Sequence, residues 1–239
     1  MMRKIIAVLI LIVCLLSLGG CNTFEDTPET DAAFAAYEAA LRQTLDTTAG
    51  AVSVKSINTD TLHDKESVGI IEYSFTTNAD RRVTFERNDY TNGELVASYY
   101  GDGNKAYQMD LITDEWIDVT EDSVGMLVHD TNYFNTLSLF RIDNNFNYSK
   151  RYYQSVVMTD GEDGGKVITF TLKSDVISDM FSYTDDKSMK REMTNQTRSY
   201  YVNEKGDLYQ IVISSSQNVS IDDKKGILSG VITVLVDFK

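Results

Sequence analysis

Cysteine all but disappears from this chain after its first residues. Only Cys14 and Cys21 are present in 239 residues. No thiol lies beyond position 21, so the body of the chain has no disulfide, no thiolate nucleophile and no cysteine metal site. Histidine is nearly as scarce, with His63 and His129 far apart in sequence. A surface or capping role suits each better than a ligand or base. Neither H-E-x-x-H nor G-x-S-x-G occurs. The Gly226–Gly230 stretch has the wrong spacing for a nucleophile elbow. No glycine-rich phosphate loop follows a strand. Only one proline, Pro28, is present. Positive charge is also short. The 22 basic residues face 36 acidic ones, a formal net charge of −14. Such a surface repels phosphate backbones and anionic headgroups, so no nucleic-acid partner is expected.

What is present begins at the N-terminus. Arg3 and Lys4 precede an apolar run from Ile5 to Leu18. That run is shorter than the roughly 20 residues a membrane-spanning helix needs. It fits a secretory signal over residues 1–20. Leu18-Gly19-Gly20-Cys21 follows, and it resembles the lipobox of bacterial lipoproteins. The resemblance implies cleavage before Cys21 and attachment of lipid to its sulfur, so that the membrane is a partner through the acyl chains. Residues 21–30 are polar and acidic after the cysteine and read as a tether. Residues 31–239 are expected to form one domain.

Thr27-Pro28-Glu29 carries the marks of a helix start. Phe34, Tyr37, Leu41 and Leu45 recur at helical spacing, and Gly50 is the expected stop. After Gly50 the pattern turns to alternation. Ile71, Tyr73 and Phe75 share one strand face, and Val83 and Phe85 share the next. Asn92-Gly93 is a two-residue hairpin signal. Leu95–Tyr100 and Lys105–Ile112 read as a hairpin, and Trp116–Val119 as a further short strand. Thr120–Phe140 reads as one or two helices. Tyr152–Met158 and Lys166–Leu172 read as strands joined by the acidic turn Asp160–Gly165, which lacks the oxygen spacing of a calcium loop. A short helix after Ser174 and a charged loop over Asp185–Asn195 are expected. Strands over Gln196–Val202, Leu208–Ser214 and Ile227–Phe238 close the chain. Ser98-Tyr99-Tyr100 before Tyr107-Gln108 is echoed by Ser199-Tyr200-Tyr201 before Tyr209-Gln210, either as two related half-sheets or as two hairpins with common strand residues.

The segments SYYGDGNKAYQM with EWIDV, LKSDVISDMF, and SYYVNEKGDLYQIVI, in this order, resemble the LolA/LppX-type lipoproteins, and among them small Gram-positive lipoproteins of unassigned function. The resemblance implies an α+β fold. Its core would be a strongly curved antiparallel sheet, a half-barrel, with the N-terminal helix and inserted helices on the concave side. It also implies a hydrophobic cavity between sheet and helices, suited to acyl chains. A curved sheet leaves a hollow that one helix cannot fill, so the hollow is either plugged by side chains or open to an apolar guest. Ile71, Tyr73, Phe75, Val83, Phe85, Ile168, Phe170 and Leu172 are the candidate lining, with plain core as the competing role for each.

The expected function is therefore a lipid-anchored, monomeric, non-enzymatic binding module. It would lie on the extracytoplasmic face of the cell membrane, without cofactor or metal. The competing reading is an envelope interaction protein of the same fold with a filled core. An enzyme is the least favoured reading, because no nucleophile, metal set or singled-out carboxylate pair is legible.

Overall fold

The computed structural model describes residues 26–45, 47–122, 125–128, 153–173, 189–221 and 224–238. The signal segment, Cys21, most of the tether, the helix expected after Ser174 and His129 lie outside these residues.

Helix α1 spans Pro28–Leu45. Thr27 and Thr30 cap it reciprocally. The Thr30 amide donates to Thr27 Oγ1 at 3.3 Å, and the Thr27 amide donates to Thr30 Oγ1 at 3.0 Å. Pro28 occupies the first helical position, where its missing amide costs nothing. Glu29 and Asp31 complement the positive end of the helix dipole and Arg42 the negative end. Ala33, Phe34, Tyr37, Ala40, Leu41 and Thr44 form the buried stripe. The helix stops at Leu45 rather than running to Gly50, because Ala49 and Gly50 are already paired as strand.

Eleven strands follow: β1 Ala49–Asp60, β2 Lys65–Thr77, β3 Val83–Thr91, β4 Glu94–Asp102, β5 Ala106–Asp110, β6 Glu115–Asp118, β7 Tyr153–Asp160, β8 Lys166–Leu172, β9 Met189–Val202, β10 Leu208–Ile221 and β11 Lys224–Phe238. They form one open sheet in the order β6-β5-β4-β3-β2-β1-β11-β10-β9-β8-β7. Every printed pairing is antiparallel. The first and last strands are neighbours at its centre, with Gly50 opposite Phe238 and Asp60 opposite Leu228. Successive hairpins therefore spread outward from the β1–β11 seam, and β6 and β7 become the two edges.

Local chemistry sets the turns. Asn92 and Gly93 have φ of 51° and 87°, the paired positive values that a two-residue hairpin with native twist requires. The Asn92 side chain also accepts from the Val68 amide at 2.9 Å. At Asp160–Gly165 the expected turn contains a short 3-10 segment, Glu162–Gly164. Gly165 is needed for space rather than conformation, since a Cβ there would run into the Val202 carbonyl oxygen.

Three expectations change. The Ala49–Asp60 strand was not read from the sequence. The charged stretch read as a loop is strand from Met189 onward, because it continues the ladder against β10 as far as Ile221. Of the helical segment expected over Thr120–Phe140, the described parts are a turn and bend over 120–122 and a 3-10 turn, Gly125–Val128, and the rest lies outside the described residues. α1 is thus the one α-helix among the described residues.

Candidate functional site

Period-two alternation gives the sheet two chemically different faces. Register places Val52, Val54, Tyr73, Phe85, Ile168, Phe170, Tyr200, Ile211 and Val234 on the face that carries α1. All of these are buried in one hydrophobic cluster with Phe34, Tyr37 and Leu41 of the helix. Aromatic rings fill the junction. Phe170 lies 5.3 Å from Phe34, Tyr37 and Tyr153, and Tyr37 lies 4.8 Å from Tyr200. These separations are those of edge-to-face packing, each worth about 0.5–1.5 kcal/mol beyond area burial.

The eight candidate residues fall into two groups on this face. Ile168, Phe170 and Leu172 stand on β8 and are buried. Tyr73, Phe75, Val83 and Phe85 stand on β2 and β3, also buried, and Ile71 is partly buried beside them. Tyr73 packs on Phe75 at 5.7 Å and on Phe85 at 5.8 Å. A side chain at Gly101 would collide with the Phe85 ring and with Val128, so the 3-10 turn also comes down on this end of the face. β1, β11, β10 and β9 separate the two groups along the sheet.

The face does not end with α1. An 18-residue helix is about 27 Å long, whereas the 15-residue β11 extends for about 50 Å. Ring contacts from α1 fall on β7, β8 and β9. Further along the same face come Val54 and Ile71, then a mixed row in which Arg198, Ile213, Ile232, Ser56 and Gly69 lie opposite one another in turn, and then a change of character. Gln196, Ser215, Gly230, Asn58 and Ser67 form a row across five strands, each opposite the next. Asn58, Ser67, Ser215, Gln217, Leu228 and Gly230 line a groove of about 510 Å³. Gln196 is buried, and its Oε1 has no hydrogen-bond partner among the described residues. Sequence reasoning missed this row. The five residues look like ordinary strand polar positions until the register aligns them.

On the opposite face, a groove of about 420 Å³ lies over Glu72, Glu86 and Asp237. His63 sits at the β1–β2 turn, with Nδ1 2.6 Å from Asp60 Oδ2. That contact, with the Leu62 and His63 amides, holds the Asp60 carboxyl below its ordinary value. Among the described residues no three of His, Cys, Asp and Glu are grouped to hold a metal ion. The two Tyr-Tyr hairpins occupy unequal places. Tyr100 stacks on Tyr107 across β4–β5, four strands from the seam, whereas Tyr201 and Tyr209 face each other at 6.1 Å beside it. Shared strand chemistry accounts for the echo better than related half-sheets do.

The described residues thus form an open antiparallel sheet with one α-helix across one face. No family model matches the chain, and no curated protein matches it. Solved structures to which it is similar include LprF from Mycobacterium bovis, at 12% identity and a TM-score of 0.41 over 86% of this chain and 91% of that one. A LolA superfamily protein from Nitrosomonas europaea is similar at 8% identity and a TM-score of 0.31, covering 87% of this chain and 93% of its own. A DUF1329 family protein from Desulfovibrio piger follows at 10% identity and 0.28, over 87% and 93%. At this identity and TM-score the likeness carries no argument about what this chain does.

Proposed function

We propose that this chain is an exported lipoprotein, anchored through lipid on Cys21, that holds a hydrophobic, acyl-bearing molecule against the helix-bearing face of its sheet. The signal segment is 1–20, the tether 21–30 and the binding domain 31–239. In this reading the sheet curves into a half-barrel around that face, curling being one of the ways an open twisted sheet of more than about ten strands accommodates its twist. The domain acts as a monomer on the extracytoplasmic face of the membrane, without bond-making chemistry.

One observation carries this reading. The helix-bearing face continues past α1 through Ile71, Ile213 and Ile232, becomes mixed where Arg198 and Ser56 join the last two, and ends in a polar groove. Apolar wall followed by hydrogen-bonding groups is the order an amphiphile needs. Each methylene buried contributes about 0.8 kcal/mol. An unpartnered buried acceptor such as Gln196 Oε1 costs about 1–3 kcal/mol, and a headgroup donor would relieve that cost. The two candidate groups, Ile71, Tyr73, Phe75, Val83 and Phe85 on one side and Ile168, Phe170 and Leu172 on the other, are the proposed flanks.

The test is lipid extraction of the full-length protein purified in detergent, followed by mass spectrometry. Acyl species near one per chain, beyond those bonded to Cys21, are expected. A second reading has its own support. The close ring packing of Phe34, Tyr37, Tyr153, Phe170 and Tyr200 fills the α1 end of the face. Purification with no extractable acyl species would overturn the carrier and leave an anchored interaction protein with a filled core.

A further inference from the structure

The two edges of the sheet are chemically unlike. Edge strand β7 is anchored by buried Tyr153 and Val156 and packs on α1. Edge strand β6, Glu115–Asp118, is exposed at all four residues. It pairs with β5 alone among the described residues. The register puts Tyr107 opposite Asp118 and Met109 opposite Trp116, and the Val119 amide donates to the Ala106 carbonyl at 2.9 Å. Ladder parity then directs the backbone groups of Glu115 and Ile117 toward β5. Those of Trp116 and Asp118 point outward, a row of donors and acceptors with no backbone partner among the described residues.

Apolar side chains surround that row. Ile112 is 94% exposed, Ile117 52% and Trp116 43%, and Leu111 is exposed at the hairpin tip. Trp116 is held upright by Tyr100, 4.8 Å away and edge-on. The surrounding charge has one sign. Residues 102–122 hold seven acids and one base, Lys105, which is paired with Asp118 at 2.6 Å. Asp114, Glu115, Glu121 and Asp122 are exposed and make no ion pair among the described residues.

From this juxtaposition we infer that β6 is a docking edge for an extended, basic segment of a partner protein, which adds to the sheet as a further strand. Main-chain hydrogen bonds to Trp116 and Asp118 supply affinity, and side chains pack on Trp116 and Ile117. The charges choose the occupant. Antiparallel pairing of β6 with a second copy must match residues of the same parity. Centred on Trp116 it sets Asp114 against Asp118, and centred on Asp118 it sets Asp118 against itself and Glu115 against Glu121, like charge opposite like, which disfavours it. Lysine or arginine at the same positions meets Glu115, Asp114 and Asp122 instead.

Trp116 is the only tryptophan, so its fluorescence reports on this edge alone. The full-length protein in detergent is titrated with a short peptide of alternating lysine and valine. The expected result is a saturable blue shift of emission that weakens as salt is added. Replacing Glu115→Lys with Asp122→Lys lowers affinity by about tenfold or more, and an unchanged circular dichroism spectrum establishes that the variant is folded. The same peptide N-methylated at alternate residues cannot form the ladder and is expected not to bind. Equal binding by the N-methylated peptide, equal binding by a glutamate–valine peptide, or an emission that peptide does not move would each overturn the assignment. None of these readouts depends on the acyl site, so the two proposals fail separately.

Discussion

Phe170 and Ile71 share a face of the sheet, yet substitution separates their roles. Phe170 is fully buried, and its ring touches those of Phe34, Tyr37, Tyr153 and Tyr200. Truncation to alanine leaves a cavity that four rings bounded by two backbones cannot collapse to fill. The expected loss is about 3–5 kcal/mol in denaturant unfolding. Ile71 lies at the margin of the same cluster, only partly buried. Ile71→Gln should cost under about 1.5 kcal/mol while weakening the binding of a fluorescent fatty acid. Equal loss of stability in both variants would mean that Ile71 is core, not wall. The sequence showed which residues point inward: the alternation of Ile71, Tyr73 and Phe75, and of Val83 and Phe85, predicts the face they occupy. It did not show which inward residues a helix covers, because that depends on where α1 lands. The row from Gln196 to Ser67 was equally hidden, since each member is an unremarkable polar residue until five strands are set in register.

Among the elements, the β5–β6 hairpin depends most visibly on carboxylates. Asp118 accepts from Lys105 Nζ at 2.6 Å and from the Thr120 hydroxyl at 2.6 Å. Those bonds hold its carboxyl well below the ordinary value of 3.8, the lysine contributing most. Asp110 is lowered by the Ile112 and Thr113 amides at the hairpin tip, and Asp102 by the Lys105 and Asn104 amides. A carboxyl whose folded value is depressed binds protons more readily in the unfolded chain. Its stabilisation is therefore present above pH 3.8 and is lost as the pH falls through the lower, folded value. Trp116 emission should hold steady near neutrality and move to the red below that pH. Asp118→Asn should make the acid response shallower, and an unchanged response would remove Asp118 from its cause. These groups are exposed, so the effect belongs to the hairpin and not to the whole fold. The β3–β4 hairpin was legible because its turn residues, Asn92-Gly93, are specific; β5 and β6 were read as strands, but the turn over 111–114 that pairs them was not. β1 was not. Gly50 looked like a helix stop, and the alternation of Val52 and Val54 with Ser53 and Lys55 is short. The Met189–Asn195 stretch looked like loop because its composition is polar. It is held as strand by a partner ladder that runs to Ile221, which no local pattern announces.

At the scale of the whole molecule, the seam between β1 and β11 joins the first and last described strands, Gly50 against Phe238. That pairing makes one sheet of two sets of hairpins, and no local sequence signal predicts it. It also leaves the N-terminal segment to do a separate task. The chain carries a net charge of −14, and cleavage of the proposed signal segment would remove Arg3 and Lys4 and make the remainder more acidic still. Such a surface is pushed away from anionic headgroups. Among the described residues no helix is long and apolar enough to cross a membrane. Attachment through Cys21 then has a sharp consequence. One acyl chain binds a bilayer marginally, and two or more hold it firmly. The wild-type chain should stay with membranes through a high-salt wash, because salt screens charge and leaves acyl burial intact. Cys21→Ala should move the protein to the soluble extracytoplasmic fraction with its thermal unfolding unchanged, since the domain proper contains no thiol. A Cys21→Ala chain that still sediments with membranes after the wash would place the anchor in the folded domain, and the acidic surface would then need a different account.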